Sequence, residues 1–243
     1  MKFAVIDNNR ERMSPDRGRG QGFAEALNAW HFGCDYEFVP YDSVVDRAGD
    51  LAACRGLILT GSWFDFALPG GRLDSEVYRK MTPELRLIRD FRSPVLGICF
   101  GHQLVSLAEE FQEGRSDFGE LRIRSMRNPE EDYFVDRLRL ECPLRFSPRT
   151  GLWVQNNHKQ EVVVNDALLR HFDVLARSAL CPVQVIQHKS REWFGVQFHP
   201  EIGKPSRRGD VARHDDALAD GYGLIRDFVA YCLARRLRQS PVP

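Results

Sequence analysis

The chain has 243 residues, with 34 basic and 34 acidic side chains and 43% hydrophobic residues. Its formal net charge of zero disfavours an electrostatic nucleic-acid binder, which needs a basic excess. No apolar run approaches the roughly 20 residues that span a bilayer, and the N-terminus lacks the long apolar core of a signal peptide. The sequence therefore predicts a globular, cytoplasmic protein with neither a membrane nor a nucleic-acid partner.

Four short apolar runs in the first half predict buried strands, at residues 2–7, 36–41, 56–60 and 94–98. Helical periodicity predicts helices at residues 22–30 and 104–111. A further helix is predicted to open at Thr82 and Pro83, because Thr82 can cap and proline suits the first helical position. This alternation predicts an α/β fold with a doubly wound, mostly parallel sheet.

The second half predicts a small antiparallel β extension and a closing helix. Residues 121–126 alternate weakly, and residues 183–188 and 193–198 are β-rich runs separated by four residues, which indicates a hairpin. The closing helix is predicted over residues 218–237. Because no Pro/Gly/Ser-rich linker divides the chain, we predict a single domain over residues 1–243.

Two charged segments between these elements have two interpretations each. Arg10, Arg12, Arg17 and Arg19 follow the first strand, either as a clamp for an acidic substrate or as a solvated loop, which we favour. Residues 204–216 are either a lid or docking loop, or an ordinary surface insertion.

The six cysteines indicate neither a disulfide framework nor a metal site. None of them forms a Cys-x-x-Cys pair, and a chain of this length does not need disulfides for stability. We therefore predict no metal and no cofactor.

One of these cysteines lies where a buried strand runs directly into a helix. Gly97-Ile98-Cys99-Phe100-Gly101 has the spacing of a nucleophile elbow, with cysteine in place of serine. Such a turn needs small flanking residues and projects its central side chain above the carboxyl end of the sheet, where open α/β folds bind ligands. The N-terminus of the following helix favours a negative charge on the sulfur. The alternative is a buried core cysteine.

A second motif supplies candidate partners for this cysteine. His199 follows a β-rich run, and Glu201 lies two residues further on, so both side chains point to the same side of an extended segment. Glu201 could then hold one imidazole nitrogen while the other faces Cys99, as in a triad of nucleophile, base and orienting acid. The alternative is a strand-end histidine beside a solvated glutamate.

With both motifs in place, the sequence resembles the class I (triad) glutamine amidotransferases, in their GMP synthase-like branch. The resemblance depends on GICFGHQ at 97–103 and GVQFHPE at 195–201. It extends, in the family's order, to GLILTGS at 56–62, DFGELRI at 117–123 and CPVQVIQH at 181–188. It implies a flavodoxin-like fold in which Cys99 attacks the side-chain amide of glutamine and forms a γ-glutamyl thioester. His199 would move the proton, and Glu201 would hold His199.

The resemblance also implies the surroundings of the nucleophile. Backbone N–H groups of Phe100 and of the turn at Gly61 and Ser62 would bind the oxyanion. Three further residues match substrate-contacting positions of the family: Gln103, Asn157 and His158. From the residues alone, Gln103 is equally a helix-surface amide and Asn157 a turn residue.

Three functions remain open at this point. The first is a glutaminase that releases ammonia for a separate synthetase partner, since no ATP-pyrophosphatase domain is encoded in these 243 residues. The second is a stand-alone γ-glutamyl hydrolase or peptidase with the same triad. The segment TGSWFD at 60–65, in place of the Gly-Gly-Pro of many members, resembles a branch that includes the plant γ-glutamyl peptidases. The third is a non-catalytic regulatory homologue.

Overall fold

A computed structural model describes residues 1–8, 33–68, 73–112, 120, 122–126, 134–201 and 211–239. The predicted helix at 22–30, the arginine cluster at 10–19 and most of the charged segment at 204–216 lie outside these residues.

The described residues form eleven strands: β1 Lys2–Asp7, β2 Asp35–Pro40, β3 Leu57–Leu59, β4 Val95–Ile98, β5 Ile123–Ser125, β6 Phe134–Arg139, β7 Gly151–Asn156, β8 Gln160–Val162, β9 Phe172–Ala176, β10 Val185–His188 and β11 Trp193–Val196. They also form five α-helices: α1 Ala48–Ala52, α2 Ser75–Asp90, α3 Phe100–Ala108, α4 Asp166–His171 and α5 His214–Gln239. Short 3-10 turns lie at Tyr41–Ser43 and Val211–Arg213.

The central sheet has the strand order β2-β1-β3-β4-β11-β10-β9. Its first five strands are parallel to their neighbours, whereas β10 is antiparallel to both β11 and β9. Two small antiparallel pairs, β5 with β8 and β6 with β7, complete the β structure of the described residues. The predicted mostly parallel sheet with an antiparallel extension is therefore confirmed.

Both faces of the sheet are buried, which is why its strands have continuous apolar sequences instead of alternating ones. On one face, Ala4, Ile6 and Leu59 pack with side chains of α2 and α3 such as Leu85 and Leu104. On the other face, the sheet packs against α5 and the β6–β7 pair. None of the described helices is long and apolar enough to cross a bilayer.

Helix α2 begins earlier than the sequence predicted. Its cap is Asp74, whose carboxylate accepts hydrogen bonds from the N–H groups of Glu76 and Val77. Pro83 lies inside the helix, and the Thr82 hydroxyl donates to the carbonyl of Tyr78 at 3.1 Å instead of capping. The prediction of a start at Thr82 was wrong because an earlier capping carboxylate determines the first turn.

The closing helix also begins earlier than expected. Residues 214–216, predicted as loop, form the first turn of α5, with Asp215 and Asp216 at the end of the helix that favours negative charge. The hairpin prediction was correct: β10 and β11 pair in antiparallel register and are joined by residues 189–192.

One acidic side chain of α2 faces the core. Glu84 is 1% exposed, and its Oε1 accepts a hydrogen bond from Asn8 Nδ2 at 3.1 Å. Burial raises the pKa of Glu84 to about 8, against the smaller opposing effect of the Asn8 hydrogen bond. The folded protein therefore holds this carboxyl group in its neutral form at pH 7.

This pKa predicts a pH dependence of stability. Between about pH 4.5 and pH 8, the folded state binds one more proton at Glu84 than the unfolded state, so unfolding releases that proton and rising pH favours unfolding. We expect the Glu84 contribution to lower the free energy of unfolding by about 1 kcal/mol per pH unit in that window. Glu84→Gln should remove this slope in urea unfolding at pH 5.5, 7 and 8.5.

Glu76 is the matched control because it lies in the first turn of the same helix with an exposed carboxylate. Glu76→Gln should keep the pH dependence of the unmodified protein. Equal slopes for the parent chain and Glu84→Gln would show that Glu84 is ionised in the fold.

Candidate active site

The turn between β4 and α3 places Cys99 in a backbone conformation that is rare for a side-chain-bearing residue. Its φ is 52° and its ψ is −102°, and it is the only non-glycine residue with positive φ in the described part of the chain. Such strain costs of the order of 1–3 kcal/mol and persists only where the surroundings fix it.

Two glycines make this turn possible, as the sequence predicted. A Cβ on Gly97 would lie 2.3 Å from the carbonyl oxygen of Gly101. A Cβ on Gly101 would lie 2.4 Å from the carbonyl oxygen of Leu59, at the end of β3. Both distances are far below contact, so any larger residue would push the turn away from the sheet.

Cys99 is 6% exposed, and neighbouring groups hold it from two sides. Its N–H donates to the carbonyl of Val196 in β11 at 2.8 Å. The side-chain amide of Gln197 donates to the Cys99 sulfur at 3.6 Å. Sequence analysis assigned no role to Gln197, although it belongs to the GVQFHPE motif, because its direction depends on how β11 leaves the sheet.

His199 and Glu201 form a short hydrogen-bonded pair beside this cysteine. Nδ1 of His199 lies 2.7 Å from Oε1 of Glu201, and the N–H of His199 donates to the carbonyl of Gln155 in β7 at 2.9 Å. A Cβ on Gly61 would lie 2.8 Å from His199 Cε1 and 3.4 Å from Cys99 Cβ. The imidazole and the cysteine therefore face each other across the Gly61 backbone.

The charges of this group favour a protonated imidazole. Burial alone would lower the pKa of His199, but the Glu201 carboxylate and the Cys99 sulfur raise it to about 10. Nε2 makes no hydrogen bond of ordinary geometry with a described residue, so its interaction with the sulfur is electrostatic.

These residues open into one cavity of about 570 Å³, measured to its open mouth, a volume typical of small-molecule sites. Its lining includes most of the residues that the sequence predicted for the site: Ser62, Cys99, Phe100, Gln103, Asn157, His158 and His199. Trp63, Phe64, Asp65, Lys159 and Gln160 complete it.

The backbone N–H groups of Ser62 and Phe100 have no hydrogen-bond acceptor among the described residues. Both residues line the cavity beside Cys99. Between them, the N–H of Gly101 donates to the carbonyl of Thr60 at 3.2 Å and so fixes the β3 turn against the nucleophile helix.

The predicted substrate-contacting residues lie on the opposite wall. Gln103 is buried, and its Nε2 donates to the carbonyl of Gln160 at 3.0 Å, so it is not a helix-surface amide. His158 Nδ1 lies 3.3 Å from the same carbonyl. Burial, together with the positive charge of His199, lowers the pKa of His158 to about 4, so its ring is neutral.

Among the described residues, one group has the composition of a metal site: Glu109, His171 and His188. However, His188 Nδ1 accepts the N–H groups of Ser190 and Arg191, which leaves its proton on Nε2, 3.3 Å from Glu109 Oε2. The Arg191 guanidinium lies 3.4 Å from the same oxygen. This arrangement is an ion-pair cluster, because the nitrogen that would bind a metal already donates a proton.

Comparisons with known proteins agree with this site. The family profile described as glutamine amidotransferase class-I matches residues 24–214. The chain is 32% identical to the glutamine-hydrolysing subunit of GMP synthase from Methanocaldococcus jannaschii, over 76% of its own length and 84% of that relative. It is 34% identical to the corresponding subunit of Pyrococcus abyssi over 51% of its own length, a match that spans only 60% of that relative.

Two solved structures share the fold. A GMP synthase subunit protein from Thermoplasma acidophilum superposes with a TM-score of 0.69 at 22% identity, covering 98% of this chain and 97% of that one. A glutamine amidotransferase from Thermotoga maritima gives a TM-score of 0.61 at 15% identity, covering 98% of both chains. The chain thus belongs to the class I glutamine amidotransferases, an enzyme family, as its motifs indicated.

The environments of the cysteines predict selective alkylation. Burial raises the pKa of the Cys54, Cys181 and Cys232 thiols, whereas Cys142 is exposed. We expect iodoacetamide at pH 7 to modify Cys99 and Cys142, as read by peptide mass spectrometry. His199→Gln should slow modification of Cys99 about tenfold or more, because a neighbouring cation stabilises the reacting thiolate by a few kcal/mol.

Cys142 provides the internal reference, since His199→Gln should leave its rate unchanged. Preferential modification of Cys54 or Cys181 would contradict the assignment of Cys99 as the reactive thiol.

Proposed function

We propose that this protein hydrolyses the side-chain amide of glutamine and releases ammonia for a separate synthetase. The observation that carries the proposal is the convergence of Cys99, His199 and Glu201 on one cavity, with the imidazole between a carboxylate and the sulfur. A nucleophile, a proton carrier and an orienting acid are the groups that amide hydrolysis through a covalent intermediate requires.

In the first half of the reaction, the Cys99 thiolate attacks the amide carbon of glutamine. A carbon–sulfur bond forms, and the negative charge moves to the carbonyl oxygen. When the carbon–nitrogen bond breaks, the His199 imidazolium gives its proton to the departing nitrogen, which leaves as ammonia. The γ-glutamyl group remains on Cys99 as a thioester.

In the second half, neutral His199 takes a proton from water as the water oxygen attacks the thioester carbonyl. The carbon–sulfur bond breaks, which restores the thiolate and the imidazolium and releases glutamate. Glu201 transfers no proton in either half, because its carboxylate holds Nδ1 at 2.7 Å and keeps Nε2 directed at the reacting groups.

The N–H groups of Ser62 and Phe100 are suited to bind the oxyanion in both halves, since each lines the cavity and lacks an acceptor among the described residues. Gly61 belongs to the same site because only a residue without a Cβ fits beside the imidazole. Gln103, Asn157 and His158 would contact the rest of the glutamine from the opposite wall.

The acceptor of the ammonia is proposed from the relatives. The relative from Methanocaldococcus jannaschii, which covers most of this chain, is one named subunit of a glutamine-hydrolysing GMP synthase, and that name implies a second, synthetase subunit. We infer that this chain likewise acts with a separate synthetase. A γ-glutamyl peptide would present the same carbonyl to Cys99, so the choice between the two substrates requires an assay.

The proposal predicts that the three residues act as one unit. Cys99→Ala should abolish ammonia release from glutamine while leaving urea unfolding close to that of the parent chain. Single substitutions of His199 and Glu201 should each lower kcat, with Glu201→Gln the milder because it moves no proton. The double variant should be only slightly worse than His199→Gln, since members of a triad are non-additive. Multiplying losses would indicate that the two residues work separately.

The substrate and partner are tested with one set of rates. Ammonia release from glutamine should be slow for the isolated chain and should rise at least tenfold when an ATP-pyrophosphatase synthetase is added together with its nucleotide substrates. Cys99→Ala with the same additions is the control. Efficient cleavage of γ-glutamyl dipeptides with negligible glutamine hydrolysis would establish the peptidase function instead. No Cys99-dependent turnover of either substrate would favour a regulatory homologue.

A further inference from the structure

The turn that follows β3 is held by a relay of hydrogen bonds that begins at the end of β1. The N–H of Asn8 donates to Thr60 Oγ1 at 3.1 Å. Because the Thr60 hydroxyl accepts this bond, its own proton is free to donate, and it donates to the carbonyl of Gly61 at 3.1 Å. The Gly61 carbonyl is therefore fixed on the side of Thr60.

The position of this carbonyl determines where the next N–H points. In a trans peptide the C=O and the N–H point in opposite directions, so the Ser62 N–H is directed away from Thr60. Ser62 lines the cavity, and its N–H has no acceptor among the described residues. The Ser62 side chain is fixed as well, since its Oγ donates to the Asn8 carbonyl at 2.7 Å and accepts from the Phe64 N–H at 3.0 Å.

The side chain of Asn8 anchors this turn to the body of the protein. Nδ2 donates one hydrogen to the Thr60 carbonyl at 3.2 Å and the other to Glu84 Oε1 at 3.1 Å. The amide must face this way because both neighbours are acceptors. Asn8 and Glu84 are 0% and 1% exposed, so water does not replace these bonds. The same Thr60 carbonyl accepts the Gly101 N–H of the nucleophile helix.

We propose that Asn8, Thr60 and Glu84 are positioning residues that fix the Gly61–Ser62 peptide with its N–H toward the cavity, where it binds the oxyanion. None of the three touches the reacting atoms; each acts through the orientation of one peptide. The inference rests on the proposed chemistry at Cys99, but it does not require glutamine as the substrate.

Two reactions of Cys99 separate this role from general support of the fold. Acylation by p-nitrophenyl acetate passes through a tetrahedral oxyanion as the thiolate attacks the ester carbonyl and p-nitrophenolate leaves. Alkylation by iodoacetamide is a direct displacement of iodide with no oxyanion. Acylation is measured as Cys99-dependent p-nitrophenolate release, with the rate of Cys99→Ala subtracted, and alkylation by mass spectrometry.

Thr60→Val removes the hydroxyl relay at nearly constant volume, and Thr60→Ser retains it. Glu84→Leu removes the acceptor of Asn8, and Glu84→Gln retains one. We expect Thr60→Val and Glu84→Leu to slow acylation about tenfold or more, since losing one oxyanion donor costs roughly 10²–10³. Alkylation should stay within about twofold. Thr60→Ser and Glu84→Gln should restore most of the acylation rate, and loss in glutamine hydrolysis should appear in kcat with KM little changed.

Acylation that is unchanged in Thr60→Val, or that falls in parallel with alkylation, would overturn the proposal. So would a parent chain whose Cys99 is alkylated but not acylated. If Glu84→Leu fails to fold, the Thr60 pair alone decides the outcome. Normal Cys99 acylation in a chain that does not hydrolyse glutamine would refute the proposed substrate while leaving the role of the relay testable by the same two rates.

Discussion

The closest backbone approach in the site determines most of its architecture. The carbonyl oxygen of Leu59 lies where a Cβ on Gly101 would be, and the carbonyl of Gly101 lies where a Cβ on Gly97 would be. The nucleophile helix can therefore start directly above the ends of β3 and β4. This position forces Cys99 into its positive φ and brings its sulfur to the carboxyl edge of the sheet.

Strand order then brings the partners to the same edge. Because β11 is the parallel neighbour of β4, the chain that leaves β11 carries His199 past Cys99. The electrostatics separate the histidines of this region. The Glu201 carboxylate and the Cys99 sulfur keep the pKa of His199 high, whereas burial lowers the pKa of His158 to about 4 and that of His102 to about 3. One imidazole is thus charged in a neighbourhood of neutral ones.

The parts of the fold and site that local sequence encodes were predicted, and those that depend on distant contacts were not. The central strands and the glycine-flanked cysteine follow from apolar runs and small residues over a few positions. The start of α2 was missed because the Thr82-Pro83 pair has the local features of a helix start, whereas the true cap is Asp74. The bond between Asn8 and Glu84 joins residues 76 positions apart, so no short motif indicates it. The amidotransferase motifs identified the family, but the direction of the Gln197 amide depends on the third dimension.

The place of β11 in the sheet has a consequence for the synthesis of the protein. It is inserted between β4 and β10, and Gln197, just beyond it, reaches a sulfur 98 positions earlier in the chain. While the ribosome is still translating the middle of the message, the emerging polypeptide holds a thiol but neither its imidazole nor the strand that completes the sheet. Domains of this kind fold as units once their long-range pairings are available. A nascent chain would therefore be inert toward glutamine until translation has passed residue 201, which protects the cell's amide nitrogen from unfinished copies.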